Sequence, residues 1–565
     1  MRNARFLSLE SKKVSILRRI LAYSRCILTN WDLFMLAALG QIRQFRFKGT
    51  ASAADTERIR KAAKDLDITS KASIAKIDPE AGLFEIQEAL RKTISAIDGF
   101  AFLSEPVEGN PARDKHPNEH TVLIKIGVNW GLGGYPTITS PESIYAVTRL
   151  CLEAAEKRET PVKVIVGDES GIEVKRMSLT TRKNFEDTGV FAAAILAALH
   201  HAEALEKKGT PKFKGAGDLV GKMGVRYGFD VERFRAMPPE MAHKVEGMAA
   251  TAGVRVLPFD KEDDTKPEKV EVCYPNPERV KYLKGKDFWI PKVVAEEVTD
   301  IINLPKPPGR HSILGNEGLS GALKNYVGLM DGDQRIPTLH SDTDRLPPPR
   351  KDQGAEPHLK ALKKLAVDIT RIKKDETGIR ARKSSHSSVL NYKFKRAGGE
   401  MAFHEKIAEI YLAFADKERF CVTDMRKTMS AIGPDFGDNI DIGAVIAASD
   451  AVTLDAIAGA FLKKRYEEIG GFWEAVKIGG DTLLEFLAGT TWLKKKISPF
   501  DLMAHLAANS YGLGPCDLKH IDFKGLENSG FRVREIDAVA SYLQDRRRSR
   551  VPRRRKTPAK MEAAV

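Results

Sequence analysis

The chain has 565 residues, which is enough for one large domain with extensions or for up to about four domains. Hydrophobic residues make up 42% and charged residues 30%, as in a soluble globular protein, and no run reaches the roughly 18 apolar residues that a membrane span needs. The formal net charge is +15, but residues 1–48 carry +8 and residues 546–560 carry +9, so only the two ends favour an acidic partner.

The first patterned stretch, residues 14–39, has apolar residues at helical spacing with arginines between them. Three interpretations remain open: a helix docked on the body, a basic amphipathic helix lying on a membrane surface, or an export signal. Arg18 and Arg19 form a twin arginine, but Arg25 and Asp32 interrupt the apolar segment that should follow. A twin-arginine signal is therefore disfavoured, and a cytoplasmic location is expected.

Residues 55–100 are polar and are predicted to be helical, and residues 105–120 have the composition of a linker. We therefore expect a helical N-terminal extension over residues 1–115, followed by an α/β domain over residues 116–535. The remaining residues, 536–565, are expected to be a basic tail, which from Arg546 onward cannot bury a core and is predicted to be disordered.

An α/β pattern begins with the buried-type strand at residues 122–128. Ser140 and Pro141 then open a helix, with Ser140 as the N-cap, and a second strand follows at residues 161–166. A strand, a helix and a strand at this spacing predict a βαβ unit.

Later segments continue the alternation of strands and helices. Predicted strands lie at residues 254–257, 298–304, 420–423 and 442–448, and predicted helices at 185–206, 401–415 and 450–462. A helix followed by a turn is predicted at residues 500–518. The fold class expected from this order is α/β, with a mostly parallel sheet and flanking helices.

Polar side chains follow the predicted strands: Asn129, Asp168, Lys306, Asp424 and Asp450. Because the carboxyl ends of parallel strands share one edge of a sheet, this edge is the expected ligand site. Such residues can also be plain helix N-caps, and this interpretation is favoured for Asp450. For Asp168 and Asp424, which have glycines near them, both interpretations remain open.

A glycine-rich stretch, residues 303–328, carries Lys306, Arg310 and His311 and leads into Lys324 and Asn325. Glycines let a backbone approach a ligand closely, and free N–H groups at a helix start attract anions. The stretch therefore predicts a carboxylate or phosphate site, with an ordinary glycine-rich surface loop as the alternative.

Strong catalytic motifs are absent from the sequence: there is no P-loop, no complete dinucleotide fingerprint, no Gly-x-Ser-x-Gly elbow and no His-Glu-x-x-His helix. The five cysteines, at positions 26, 151, 273, 421 and 516, form no Cys-x-x-Cys pair. An intrinsic iron–sulfur cluster is therefore not expected, and the low cysteine density fits a reducing compartment. A divalent metal stays open, although no histidine spacing requires one.

Several short segments occur in a fixed order over residues 121–530: Leu123-Ile-Lys125, Asn129-Trp130-Gly131, Thr139-Ser-Pro141, Val164-Ile-Val-Gly-Asp168, Asp300-Ile-Ile-Asn-Leu-Pro-Lys306, His311, Gly321-Ala-Leu-Lys-Asn-Tyr-Val-Gly328, His340, Gly433-Pro434 with Gly437, Ala448-Ser-Asp450 with Asp455, and Gly512-Leu-Gly514 before Asp517-Leu518. This ordered set resembles the family of domain of unknown function 362. The chain departs from the family's pattern at two places. Three residues separate Lys125 from Asn129, where the family usually has Lys-Pro-Asn. The second lysine of the family's Lys-x-Lys-Thr-His is lost here or replaced by Arg310. The resemblance implies an α/β fold and an uncharacterised iron–sulfur-centre protein, whereas this chain lacks the cysteines for a cluster of its own.

The leading hypothesis is a protein that binds a small anionic ligand at the strand ends, with enzymatic activity left open. Its candidate catalytic residues are Asp168, His311 and Asp424, and its candidate ligand-binding residues are Asn129, Lys306, Arg310, Lys324, Asn325 and Asp450. One alternative is a redox accessory protein that works with an iron–sulfur partner. Another is binding of a membrane surface or a nucleic acid through the basic ends, although no aromatic residues interleave the tail to stack on bases. The oligomeric state is not predicted.

Overall fold

The computed structural model describes residues 69–107, 119–128, 134–170, 180–209, 238–259, 269–283, 288–310, 319–332, 335, 339, 397–429, 438–469, 477 and 502–543, with the backbone alone at 310, 397–402 and 502. The stretch 14–39 and the tail from 546 lie outside these residues, so the expectations about them stay predictions. The division of the chain at residues 115 and 535 also stays a prediction.

The described part of the chain contains twelve strands. They are β1 (Ser70–Lys76), β2 (His120–Ile126), β3 (Val162–Asp168), β4 (Val254–Pro258), β5 (Lys269–Glu271), β6 (Trp289–Pro291), β7 (Asp300–Leu304), β8 (Gly309–Arg310), β9 (Leu319–Ser320), β10 (Glu418–Met429), β11 (Asn439–Ala448) and β12 (Ile521–Phe523).

The helices fall between these strands. They are α1 (Leu83–Ala96), α2 (Pro141–Lys157), α3 (Thr181–Asp187), α4 (Val190–Lys207), α5 (Pro239–Thr251), α6 (Lys292–Glu296), α7 (Ala322–Asn325), α8 (Ala397–Leu412), α9 (Ala451–Glu468), α10 (Leu502–Tyr511) and α11 (Val533–Leu543). A 3₁₀ turn, Tyr326–Leu329, continues directly from α7.

Eight strands form one sheet in the order β12-β1-β11-β10-β7-β2-β3-β4. All neighbours pair in parallel except β11, which is antiparallel to both β1 and β10. The predicted α/β class with a mostly parallel sheet is therefore confirmed. The carboxyl ends of β4, β3, β2, β7 and β10 lie along one edge, which we call the carboxyl edge.

Helices cover both faces of this sheet, so the strands are buried on two sides, as a parallel sheet requires. One face packs α1 to α5 against alternate strand residues such as Val122 and Ile124. The other face packs α6 to α11 against the intervening residues, such as Leu123 and Ile301. Because successive side chains of a strand point to opposite faces, two separate cores share one sheet.

The predicted βαβ unit is confirmed as β2, α2 and β3. Ser140 caps α2 because its hydroxyl oxygen accepts a hydrogen bond from the Ser143 N–H, and Pro141 occupies the first turn. Val128, just beyond β2, pairs with Ile138 in an isolated bridge that returns the chain towards the start of α2.

Two predicted helical stretches differ from the structure. Residues 70–76, inside the expected helical region 55–100, form β1, which lies between β12 and β11 and has five of its seven residues buried. The predicted helix 185–206 is divided into α3 and α4 at Gly189, whose φ of 80° is the left-handed conformation that glycine adopts readily.

Within the described residues, no single helix is long and apolar enough to cross a membrane. The pair α3 and α4, whose axes are bent by 70°, meets the length and composition criteria only when the two are taken together.

Candidate functional site

The carboxyl edge carries a lysine and an aspartate from neighbouring strands. In the register of the sheet, Lys125 of β2 lies opposite Asn303 of β7 on one side and Gly167 of β3 on the other. Asp168, the last residue of β3, comes one position after Gly167. The parallel pairing of β2 with β3 and β7 therefore brings together polar residues that are far apart in sequence.

Lys125 and Asp168 form a buried ion pair. The Lys125 ammonium donates hydrogen bonds to Asp168 Oδ1 at 2.7 Å and to the Ile126 carbonyl at 2.7 Å. Asp168 Oδ2 accepts from the Val128 N–H at 2.6 Å, and both side chains are at most 1% exposed. Burial lowers the pKa of Lys125; Asp168 opposes this effect, and the nearby Arg335 guanidinium adds to it. A buried amine in such contact with a carboxylate can exchange a proton with it or with a bound ligand.

A second buried cluster of charges continues from Asp168. The Glu169 carboxylate accepts from the Lys269 ammonium at 3.0 Å and from the Gly332 N–H at 3.0 Å. The Arg335 guanidinium donates to the carbonyl oxygens of Glu169, Ser170 and Met330. The Arg335 guanidinium also lies 3.6 Å from the Glu169 carboxylate, so Glu169 pairs with both Arg335 and Lys269.

Asn325, predicted as a ligand-binding residue, holds α7 on the sheet. Its Nδ2 donates to the Lys125 carbonyl at 2.9 Å and to Asn303 Oδ1 at 2.8 Å. Its Oδ1 faces the Lys125 ammonium at 3.4 Å. A side chain on Gly127 would meet Asn325 Oδ1 and the Lys306 backbone nitrogen, each at 2.9 Å. Gly127 therefore lies where the ends of β2 and β7 meet helix α7, and the absence of a side chain on this residue allows the close approach.

Gly328 lies against the ion pair, and Gly328→Ala is expected to destabilise the protein. An added Cβ would overlap Asp168 Oδ1 and lie 2.7 Å from the Lys125 Nζ atom. Overpacking of this kind costs about 1–3 kcal/mol. Urea denaturation should show this loss, whereas the control Gly247→Ala in α5, where a Cβ would meet nothing within 4 Å, should be neutral or stabilising. Equal stability of both variants would contradict this packing.

Asp424, a predicted catalytic residue, lies in the middle of β10 and not at the end of a short strand, because β10 runs on to Met429. Its carboxylate accepts from Ser140 Oγ at 2.9 Å and Ser143 Oγ at 3.2 Å, at the start of α2. The Arg426 guanidinium also donates to it at 3.0 Å. These contacts tie the first turn of α2 to β10 and leave Asp424 only 3% exposed.

Asp450 lies away from the carboxyl edge, which corrects the expected grouping of strand ends. Because β11 is antiparallel, its last residues lie beside the first residues of β1 and β10. Asp450 caps α9, since its carboxylate accepts from the Thr453 N–H at 2.8 Å, and it also contacts the Ser70 hydroxyl. The favoured N-cap interpretation of Asp450 is confirmed.

The N–H groups at the start of α7, expected to face an anion, face a side chain instead. Asp455 of α9 accepts from the Ala322 N–H at 2.6 Å and the Leu323 N–H at 3.0 Å. Gly321 provides the close approach, because a Cβ there would overlap the Asp455 carboxylate. The glycine before α7 therefore admits Asp455 and not a ligand. The Lys324 ammonium lies 5.3 Å from the centre of the Phe403 ring in α8.

Three predicted site residues cannot be placed. Asn129 and His311 lie outside the described residues, and of Arg310 only the backbone, in β8, is described. Within the residues that are described, no group of three or more His, Cys, Asp or Glu side chains could hold a metal ion. The predicted ligand and catalytic roles stay predictions.

Sequence reasoning missed Lys125, Asn303, Arg335, Glu418 and Asp455 as members of the site. Lys125 had a usable signal in the sequence, because it interrupts the apolar run of residues 122–126. Glu418 had no comparable signal in the sequence. Its carboxylate accepts hydrogen bonds from the Tyr326 and Tyr411 hydroxyls, the Asn303 amide and the Ala451 N–H, and so connects four elements.

Comparison with known proteins gives one match. Residues 238–460 match the model of the family described as Domain of unknown function (DUF362), which confirms the resemblance over that section of the expected 121–530. No curated protein and no solved structure matches the chain. The matched section includes Lys306, Asn325 and Asp424, whereas Lys125 and Asp168 precede it. The similarity to the family of domain of unknown function 362 therefore covers residues 238–460 of this chain.

Proposed function

We propose that this protein binds a small anion of the phosphate or carboxylate type at the carboxyl edge, beside Lys125, Asp168 and Lys306. The observation that carries the proposal is the buried Lys125–Asp168 pair at an edge where α/β sheets commonly bind ligands. The fold supplies the location, and the ammonium groups of Lys125 and Lys306 supply cations that an anion could contact.

The electrostatic argument begins with Lys125. Its ammonium is fully buried and lies within the influence of the Arg335 guanidinium, so two cations share a region of low dielectric constant. Asp168 pairs with Lys125, and Glu169 pairs with Arg335 and Lys269, so an arriving anion would compete with these carboxylates for the cations. An arriving anion would favour the charged form of Lys125, so binding is expected to raise the pKa of this lysine.

Lys306 extends the same region by two residues beyond β7. It is 6% exposed, and its backbone nitrogen lies against Gly127, close to Asn325. Backbone and ammonium N–H groups of this kind, held by surrounding structure, can donate hydrogen bonds to phosphate or carboxylate oxygens. Asp168, which touches Lys125 directly, is the group best placed to accept a proton from a bound ligand.

Binding can be tested by calorimetry and thermal denaturation with inorganic phosphate, pyrophosphate and succinate, at constant ionic strength set by chloride. Lys306→Ala is expected to weaken binding about tenfold or more, because hydrogen bonds to charged groups contribute about 1.5–3 kcal/mol. Lys163→Ala is the matched control: Lys163 pairs with Glu119 on the surface near the start of β3. It should leave binding unchanged.

The proposal would be contradicted if the wild-type protein bound none of the three probes. It would also be contradicted if Lys306→Ala and His311→Ala both left the affinity for the probes unchanged. Native mass spectrometry of gently purified protein adds an independent measurement, since a retained phosphorylated or carboxylated molecule is expected. The redox interpretation stays a prediction. Binding through residues 1–48 and 546–560 also stays a prediction, because these residues lie outside the described part of the chain.

A further inference from the structure

The glycine-rich turn that follows α10 reverses the direction of the chain. Gly512 adopts the left-handed conformation, with a φ of 61°, and its N–H donates to the Ala508 carbonyl at 3.0 Å. The Leu513 N–H donates to the Ala507 carbonyl at 3.1 Å, which completes a glycine cap at the end of the helix. The chain that leads to Cys516 therefore turns back towards α10.

This reversal places the Cys516 thiol beside an imidazole. Cys516 Sγ lies 3.4 Å from Nδ1 of His505, which belongs to α10. At this distance the thiol donates a hydrogen bond to Nδ1 when the ring carries its proton on Nε2. Both side chains are half-buried, so the pair is not sealed from solvent.

Contacts on both sides of Cys516 hold it in this position. The carbonyl of Pro515, just before it, accepts from the Thr453 hydroxyl of α9 at 3.1 Å. The carboxylate of Asp517, just after it, accepts from the Lys519 N–H at 3.0 Å. The backbone of Cys516 is therefore fixed on each side, and the approach of its thiol to the imidazole is built into the fold.

Two carboxylates near this turn serve as N-caps. Asp517, next to Cys516, caps the following 3₁₀ turn, and Asp450 caps α9. A side chain on Gly514 would overlap the Asp450 carboxylate, so the turn lies directly on the start of α9. Carboxylates that cap helices direct their charge at backbone N–H groups.

The other described cysteines differ from Cys516 in their burial or in their surroundings. Cys151 and Cys421 are fully buried, and burial raises the pKa of Cys151 to about 12 and that of Cys421 well above its usual range. These two thiols therefore stay protonated and out of reach of solvent. Cys273 is exposed, but no hydrogen bond to its thiol is described. Cys26 lies outside the described residues.

We propose that Cys516 and His505 form a thiol–imidazole pair that makes Cys516 a site of reversible modification by small-molecule disulfides. An imidazole that accepts the thiol proton favours the thiolate, which is the nucleophilic form of cysteine. The pair lies at the turn after α10 and does not depend on anion binding at the carboxyl edge.

The reaction is a thiol–disulfide exchange. His505 Nδ1 accepts the proton of the Cys516 thiol, and the thiolate attacks one sulfur of the disulfide R–S–S–R. A new S–S bond forms between Cys516 and that sulfur as the old S–S bond breaks, and the leaving RS⁻ takes up the proton from the imidazolium. The Cys516 sulfur is oxidised and the departing sulfur is reduced, so the disulfide itself is the oxidant.

Alkylation of the reduced, folded full chain by iodoacetamide, followed by mass spectrometry of each cysteine peptide, tests the pair. Cys516 is expected to react about tenfold or more faster than Cys273 near pH 7, because only a few per cent of an ordinary thiol is ionised there. Cys151 and Cys421 should not react in the folded chain. A rate for Cys516 equal to or below that of Cys273 would overturn the proposal.

His505→Asn removes the imidazole and should lower the alkylation rate of Cys516 to about that of Cys273. The matched control is His243→Asn, at an exposed position of α5, which should leave the Cys516 rate unchanged. Continued protection of the two buried cysteines in the same samples shows that each variant is folded. Unchanged reactivity of Cys516 in folded His505→Asn would show that the imidazole does not activate the thiol.

Modification itself can be measured with hydroxyethyl disulfide, a neutral reagent, on the wild-type chain. A mixed disulfide is expected to form at Cys516 before Cys273, and dithiothreitol should remove it. Cys516→Ser should abolish the rapid adduct, whereas Cys273→Ser should retain it. An adduct that forms first at Cys273, or none at Cys516, would refute the assignment.

Discussion

Replacing Lys125 by Met is expected to lower the free energy of unfolding by about 3–5 kcal/mol, because it leaves the Asp168 carboxylate buried without its cation. Methionine has similar length, so the loss reflects charge rather than a large cavity. Asp168 would retain one described hydrogen bond, from the Val128 N–H. Urea-induced unfolding followed by circular dichroism measures the difference.

Two further variants make the Lys125 result interpretable. Lys163→Met removes an exposed lysine of β3 and should cost less than about 1 kcal/mol, since surface ion pairs contribute little. The double variant Lys125→Met/Asp168→Asn removes both charges and should recover part of the loss. A double variant as unstable as the sum of its single changes would contradict a direct ion pair.

The second large effect is expected for Glu418→Ala, with a loss of about 3–5 kcal/mol or more. Four donors would lose their acceptor: the Tyr326 and Tyr411 hydroxyls, each at 2.5 Å, the Ala451 N–H at 2.9 Å and the Asn303 amide at 3.0 Å. Each buried donor without an acceptor costs about 1–3 kcal/mol. Thermal and urea denaturation should both report the loss.

Glu418→Gln preserves the shape and one acceptor oxygen, so its loss of stability should be clearly smaller. The exposed ion pair between Lys76 and Glu535 offers a control, because Glu535→Ala should change stability by less than about 1 kcal/mol. A Glu418→Ala variant with wild-type stability would show that this carboxylate does not join the four elements.

The two expected effects together describe how the site is built. Lys125 and Asp168 are polar groups at the ends of buried strands, and Glu418 and Asp455 fix the segment that covers them. Both sets are almost fully buried, so rigidity at the carboxyl edge depends on satisfied polar contacts as much as on apolar packing. Such a site can hold a ligand group in a fixed position with little reorganisation.

Local chemistry in the sequence was sufficient for several elements. The apolar run at residues 122–128 predicted β2, Ser140 and Pro141 predicted the start of α2, and Asp450 predicted the start of α9. These features depend on neighbours within a few residues, through side-chain alternation and N-cap hydrogen bonds. The sequence also placed Asp168 and Lys306 just at or beyond strand ends, where the structure has them.

Only the tertiary structure decided which strands pair and in which direction. The antiparallel direction of β11 moved Asp450 away from the carboxyl edge, and β1 joined the sheet from a stretch with helical composition. The sequence by itself thus determined the α/β pattern and most strand ends. The ion pair between Lys125 and Asp168 joins residues that are 43 positions apart in sequence. The hydrogen bonds from the first N–H groups of α7 to Asp455 join residues more than 130 positions apart. Such contacts follow from the order of the strands in the sheet, which local sequence patterns do not encode.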